Sequence, residues 1–194
     1  MIDARRLQSR LGVAQDGVIG PATMGALFAK FGAGPERAAE LGLSASVNFP
    51  TAGLLENGLR LAHAMAQLAH ESDSFRAMEE YASGAAYEGR SDLGNVQVGD
   101  GKRYKGRGPI QLTGRANYRS YGRALGIDFE RHPEIVATPS IGLMVACRYW
   151  TVNGLNALAD RDDLEGITRR INGGLNGLDD RKVQLAKAKE LVGL

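Results

Sequence analysis

Residues 51 to 70 set Leu54, Leu55, Leu59, Leu61, Ala62, Met65, Leu68 and Ala69 at helical spacing, which makes an apolar helix that needs a core to sit in. Further helical patterns run at about 3–12, 22–31, 36–41, 113–125, 139–154, 162–171 and 180–192. Alternation of β-branched residues is nearly absent, so strands have no visible source. The expected fold is mainly α, with one main core, for which 194 residues suffice. From Ala82 to Arg107 the chain turns polar and Gly-rich, predicting a long irregular loop.

Charge and cysteine content narrow the partners. A formal net charge of +2 with no Lys/Arg block gives little support to nucleic-acid binding, while a mild positive excess suits approach to an anionic polymer. Cys147 is the only cysteine, which excludes an intrachain disulfide and a Cys-rich zinc site. It lies in the apolar run Ile141–Trp150 and reads as core. No window approaches the ~18 apolar residues of a membrane span, and Met1-Ile-Asp-Ala-Arg-Arg-Leu7 lacks the pattern of a secretory signal. Synthesis in a cytoplasm, no integral membrane association and a monomer are expected.

Gly32-Ala-Gly-Pro35 is the sharpest composition break and divides the chain into a small helical segment, 1–34, and a main domain, 35–194. The first segment reads as a helix with Leu7 and Leu11 on one face, a turn at Asp16-Gly17-Val18-Ile19-Gly20-Pro21, and a helix from Ala22 to Phe31. Leu7, Gln8, Leu11, Gly12, Val13 and residues 16–23 resemble the peptidoglycan-binding repeat of cell-wall hydrolases over about half of a usual module. Two readings stand for it: a wall-binding element, or a two-helix cap packed on the main domain.

The carboxylates carry the chemistry. Glycoside hydrolysis needs one carboxylic acid to protonate the leaving oxygen and, in inverting enzymes, a second carboxylate to activate a water roughly 6.5–9.5 Å away. Glu71 stands where the apolar helix ends, beside His70 and Ser72-Asp73-Ser74, and a carboxyl among apolar neighbours keeps its proton as a general acid must. Glu79, Glu80 and Glu88 are candidates for the second group. On a helix running past Phe75, Glu80 would lie about 180° around and roughly 13 Å along from Glu71. Glu88, on a loop able to fold back, is therefore preferred; a helix break near Ser74 would restore Glu80. Gly106-Arg107-Gly108-Pro109-Ile110 permits close backbone approach, while Gln111, Thr113, Asn117 and Tyr118 add donors, acceptors and an aromatic face suited to sugars. The order of glycines does not match a phosphate-binding loop. His63 and His70, two turns apart, read as structural rather than metal-ligating.

Ala69-His70-Glu71-Ser72, then Glu88, then Lys102-Arg-Tyr104-Lys-Gly-Arg107-Gly-Pro-Ile-Gln111-Leu-Thr113 with Asn117-Tyr118, and finally Ile171-Asn172-Gly173-Gly174-Leu175 with Arg181, resemble family 19 glycoside hydrolases, which are chitinase-like, and most closely their phage-type endolysin branch. The resemblance spans about residues 50–192 and implies a lysozyme-like helical catalytic domain that needs no metal or cofactor. It places Glu71 on the general acid, Glu88 on the general base and Thr113 on the residue that holds the attacking water. Substrate-contacting or carboxylate-supporting positions fall on His70, Glu80, Tyr104, Arg107, Gln111, Asn117, Tyr118, Asn172 and Arg181. The implied activity is inverting hydrolysis of β-1,4 bonds in peptidoglycan by a lysozyme acting at the cell wall or periplasm. An endochitinase and a non-catalytic saccharide-binding homologue are the alternatives.

Overall fold

Every residue of the central helix from Leu61 to Ala69 is buried, as its all-round apolarity requires. The computed structural model describes residues 2–194, with helices α1 (Ala4–Leu11), α2 (Pro21–Lys30), α3 (Pro35–Thr51), α4 (Gly58–Glu71), α5 (Asp100–Arg103), α6 (Arg115–Leu125), α7 (Pro139–Val152), α8 (Leu155–Ala159), α9 (Leu164–Asn172) and α10 (Leu178–Val192). Pairing of extended backbone among the described residues is limited to isolated bridges, Glu79 with Arg107 and Arg107 with Leu112. The mainly α expectation holds. No described helix is long and apolar enough to cross a membrane.

Helix boundaries moved in two places. The pattern at 36–41 is the start of a helix that continues to Thr51, with Pro35 in its first turn; Gly42, Ser44 and Ser46 dilute an apolar stripe that Leu41, Ala45 and Phe49 carry onward. The central helix begins at Gly58 rather than 51, because the Asn57 side chain accepts from Arg60 N–H at 2.9 Å and caps it. At Gly42, α3 meets α2 backbone to backbone, where a Cβ would stand 2.6 Å from Gly25 N and Pro21 O.

Leu7, Leu11, Met24, Leu27 and Phe28 share one apolar cluster with Leu41 and Phe49 of α3, Met65 of α4, Trp150 of α7 and Leu185 of α10. The small segment thus contributes to the main core. Its motif residues also have internal work: buried Gln8 donates to Asp16 Oδ1 (2.6 Å), Val18 O (3.0 Å) and Thr23 Oγ1 (3.1 Å) and accepts from Gly17 N–H (2.9 Å), stapling the turn between α1 and α2. A second cluster of Tyr104, Leu112, Tyr118, Phe129, Val136 and Val145 lies beneath the loop. Helix α7 serves both, with Leu143 and Cys147 in the first and Val145 in the second. Burial pushes the Cys147 thiol up to about 12, so it behaves as a small core hydrophobe.

His63 is fully buried on α4, with Nε2 2.7 Å from Asp162 Oδ1 and no partner for Nδ1. Desolvation outweighs the neighbouring carboxylate and holds the imidazole below its ordinary 6.5. An unfolded chain therefore binds a proton there that the folded one refuses, so this contribution to stability is full above pH 6.5 and is lost as pH falls through the depressed value. Thermal melts from pH 7.5 to 5 should show the midpoint falling on acidification, and His63→Gln should flatten that slope.

Candidate active site

Helix α4 ends at Glu71 because Asp73, Ser74 and Phe75 adopt left-handed backbone, with φ of 49°, 58° and 62°. Such a conformation costs an L residue about 1–2 kcal/mol, and the surroundings hold it in place. Ser72 Oγ donates to Leu68 O at 2.6 Å and accepts from Phe75 N–H at 3.0 Å. The Phe75 ring is buried edge-on against Phe28, 5.0 Å between centroids, and Arg37 donates to the carbonyls of Phe75 and Arg76, each at 2.8 Å. Ala77 N–H then bonds Ser72 O at 2.9 Å, so the chain has returned to the end of α4. Only the span from Ala77 to Glu80 remains, at most about 10–11 Å of backbone. No helix runs past Phe75 to carry Glu80 away from Glu71.

Residues 78–80 lie along 106–108, through Gly108 N–H to Met78 O (2.8 Å) and Glu80 N–H to Gly106 O (2.9 Å). Arg107 and Leu112 exchange both backbone bonds, at 3.1 and 2.8 Å, which adds a third short segment. Neighbouring side chains on extended backbone point to opposite faces. Glu79 accordingly reaches Arg107 Nε (3.0 Å) and Lys105 Nζ (3.2 Å). Glu80 instead accepts at Oε2 from Tyr87 Oη (3.0 Å), and its Oε1 is shut from solvent without a hydrogen-bond partner. Gly106 is closely approached: a Cβ there would stand 2.7 Å from Gln111 Oε1 and 3.3 Å from Thr113 Oγ1. Thr113 donates its hydroxyl proton to Gln111 O (2.9 Å), leaving its oxygen as an acceptor.

The loop that carries Glu88 is tied down. Both Glu88 oxygens accept from backbone, Gly99 N–H at 2.6 Å and Gly101 N–H at 2.8 Å. The expectation that Glu88 is free to face a water is thus corrected: its carboxylate latches the loop to the start of α5. Buried Asn95 donates to Tyr87 O (2.9 Å) and accepts from Arg115 N–H (2.9 Å). Asp100, also buried, takes Arg115 at 2.5 and 3.0 Å.

At the other side of Glu71, fully buried Arg181 donates to Glu71 Oε1, Gln67 Oε1 and, at 3.5 Å, Asn176 O. Glu71 Oε2 makes no hydrogen bond with a described residue. His70 Nδ1 lies 2.6 Å from Asp180 Oδ2, linking α4 to α10. Asn172 is exposed at the end of α9, and exposed Asn117 donates to Thr113 O at 2.7 Å.

Three residues expected at substrate-contacting or carboxylate-supporting positions, Tyr104, Arg107 and Tyr118, are buried supports of the floor. Tyr104 (1% exposed) donates to Glu130 O at 3.0 Å, and Tyr118 (0%) donates to Lys105 O at 2.7 Å, so neither ring offers a face to a sugar. Burial pushes the Tyr118 hydroxyl up to about 12. Arg107 spans Glu79, Arg103 O (2.9 Å) and Tyr118 Oη (3.1 Å) behind the floor. Residues that sequence reading missed are Gln67, Tyr87, Asn95, Asp100 and Arg115. Only Gln67, one turn before Glu71 on the apolar helix, carried a signal, being polar where burial was expected.

A family model described as chitinase class I matches residues 44–177. A glycosyl hydrolase family 19 domain-containing protein of Haemophilus influenzae is 44% identical over 96 residues, 49% of this chain and 46% of that protein. An endochitinase of Arabidopsis thaliana is 39% identical over 115 residues, 59% of this chain and 39% of its own length. The chain therefore spans less than half the length of these relatives. Among solved structures, a class IV chitinase of Zea mays aligns with a TM-score of 0.70 at 22% identity, over 91% of this chain and 93% of the other. Chitinase C of Streptomyces griseus gives 0.63 at 20% identity, over 99% and 92%. At those identities the likeness is one of fold.

Proposed function

We propose, since this chain belongs to family 19 of the glycoside hydrolases, that it cleaves β-1,4 glycosidic bonds of an amino-sugar polymer by single displacement with inversion, and that the polymer is peptidoglycan. Glu71 is the acid. Arg181 fixes its Oε1, which leaves Oε2 to protonate the leaving oxygen. Glu80 replaces Glu88 as the base, and the observation that carries this is the return of the chain at Ala77 to the end of α4, which sets Glu80 against the floor that also holds Thr113. Thr113, whose proton is engaged by Gln111 O, accepts a hydrogen bond from the water while the Glu80 carboxylate takes its other proton. Gln111, Asn117 and Asn172 supply polar contacts to the sugar.

The choice of peptidoglycan rests on the wall-binding-like pattern of residues 7–23, which points to a lysozyme of the endolysin type acting at the cell wall. Chitin is the second reading, favoured by the endochitinases among the relatives. Digestion of purified peptidoglycan and of chitin oligosaccharides, with products read by mass spectrometry, separates them. New reducing ends at muramic acid residues are the expected result; release from chitin alone would overturn the peptidoglycan reading and keep the mechanism.

A further inference from the structure

We propose that Tyr87 is the positioning residue of the second carboxylate, holding Glu80 through Oε2 in the one orientation in which it acts as base, and that Glu88 works through Tyr87 as the latch of its loop. This rests on the reading of Glu80 as the base.

A glutamate's terminal torsion is soft and two-fold, so an untied carboxylate presents either oxygen at a spread of angles. Tyr87 Oη donates to Oε2 at 3.0 Å, which breaks that equivalence and fixes the plane of the carboxylate, with Oε1 turned inward and the second lone pair of Oε2 still open. The phenol keeps its proton: burial first, and then Glu80, hold its pKa above the ordinary 10. It therefore remains a donor across any working pH.

Tyr87 is itself held from every side of its backbone. It closes the single turn Ala85–Tyr87, where its N–H bonds Gly84 O at 3.0 Å. Its carbonyl accepts from Asn95, whose other side-chain atom accepts from the first N–H of α6. The next residue is Glu88, clamped on Gly99 and Gly101. A carboxylate that satisfies two backbone amides within a Gly-rich loop explains why an acid stands at position 88 without acting as the base. Positioning of this kind matters because a displacement near 1 Å can cost about 100-fold in rate.

The test uses whichever polymer the wild-type chain turns over, at a temperature where circular dichroism shows every variant folded. Tyr87→Phe keeps the ring and removes the hydroxyl; kcat should fall about 10–100-fold with KM within about 2-fold. Glu88→Gln can accept with one oxygen only and should lower kcat in the same sense, yet add little in the Tyr87→Phe background, because both act on one tether. Wild-type kcat in Tyr87→Phe, or a change confined to KM, would overturn the proposal and reduce Tyr87 to a sugar contact. Full additivity of the two variants would overturn the role of Glu88. If Glu80→Gln itself kept wild-type turnover, the underlying assignment of the base would be what failed.

Discussion

Glu71→Gln and Glu80→Gln are each expected to lower kcat by about 100- to 10,000-fold, the usual worth of a general acid or base, while Glu88→Gln retains most of the chemistry and loses at most about 10–100-fold through misplaced Tyr87. The three variants are isosteric, so a loss at Glu71 or Glu80 reports proton transfer, whereas a loss at Glu88 reports the backbone hydrogen bond that an amide nitrogen cannot accept. The ranking follows from what each carboxylate already does. Glu88 gives both oxygens to backbone amides, and taking either away from its glycine would open the loop. Glu79 is engaged by Arg107 and Lys105. Glu71, Glu79 and Glu80 each keep one oxygen outside the protein's own hydrogen bonds, but Glu79 turns to the opposite face from Glu80, where Arg107 and Lys105 both take its Oε1. Initial rates on one soluble substrate, with binding measured separately, decide it: a dead Glu88→Gln beside an active Glu80→Gln would return the base to the loop.

Periodicity made the helical class and the apolar helix before Glu71 legible, because burying a helix on all sides demands the run Leu61–Ala69. The identity of the base was not legible for a local reason. It turned on whether the helix continued through 73–75, and the break there is built from Asp73, Ser74 and Phe75 in left-handed backbone, without a glycine or proline to announce it. What holds the break is tertiary: a phenylalanine packed edge-on against Phe28 and an arginine from α3 on two carbonyls. Tyr118 misled in the opposite way. Its polar, Gly-rich surroundings suggested an aromatic face for a sugar, whereas its hydroxyl, like that of Tyr104, has a backbone carbonyl to satisfy inside the second cluster. The loop looked irregular because its order comes from Asn95, Asp100 and Arg115, a polar network with no periodic signature.

Arg181→Met should destabilise the protein by about 3–5 kcal/mol, the cost of breaking a buried ion pair from one side, and should lower turnover together with stability. The guanidinium is completely buried and joins α10 to α4 through Gln67 and Glu71, with Asn176 O as a third acceptor. Methionine fills similar volume, so the loss comes from the acceptors it strands and not from a cavity. Lysine keeps the charge but is a point donor that cannot match three separated acceptors, so Arg181→Lys should fall between wild type and Arg181→Met. The acid's own charge can be separated from this seam. In a Glu71→Gln background no carboxylate is left unpaired, so Arg181→Met should cost measurably less than it does with Glu71 present. Urea unfolding of the four proteins of that cycle gives the coupling directly. Equal costs in both backgrounds would mean that Arg181 packs against Glu71 without holding it, and the acid would then owe its placement to the end of α4 alone.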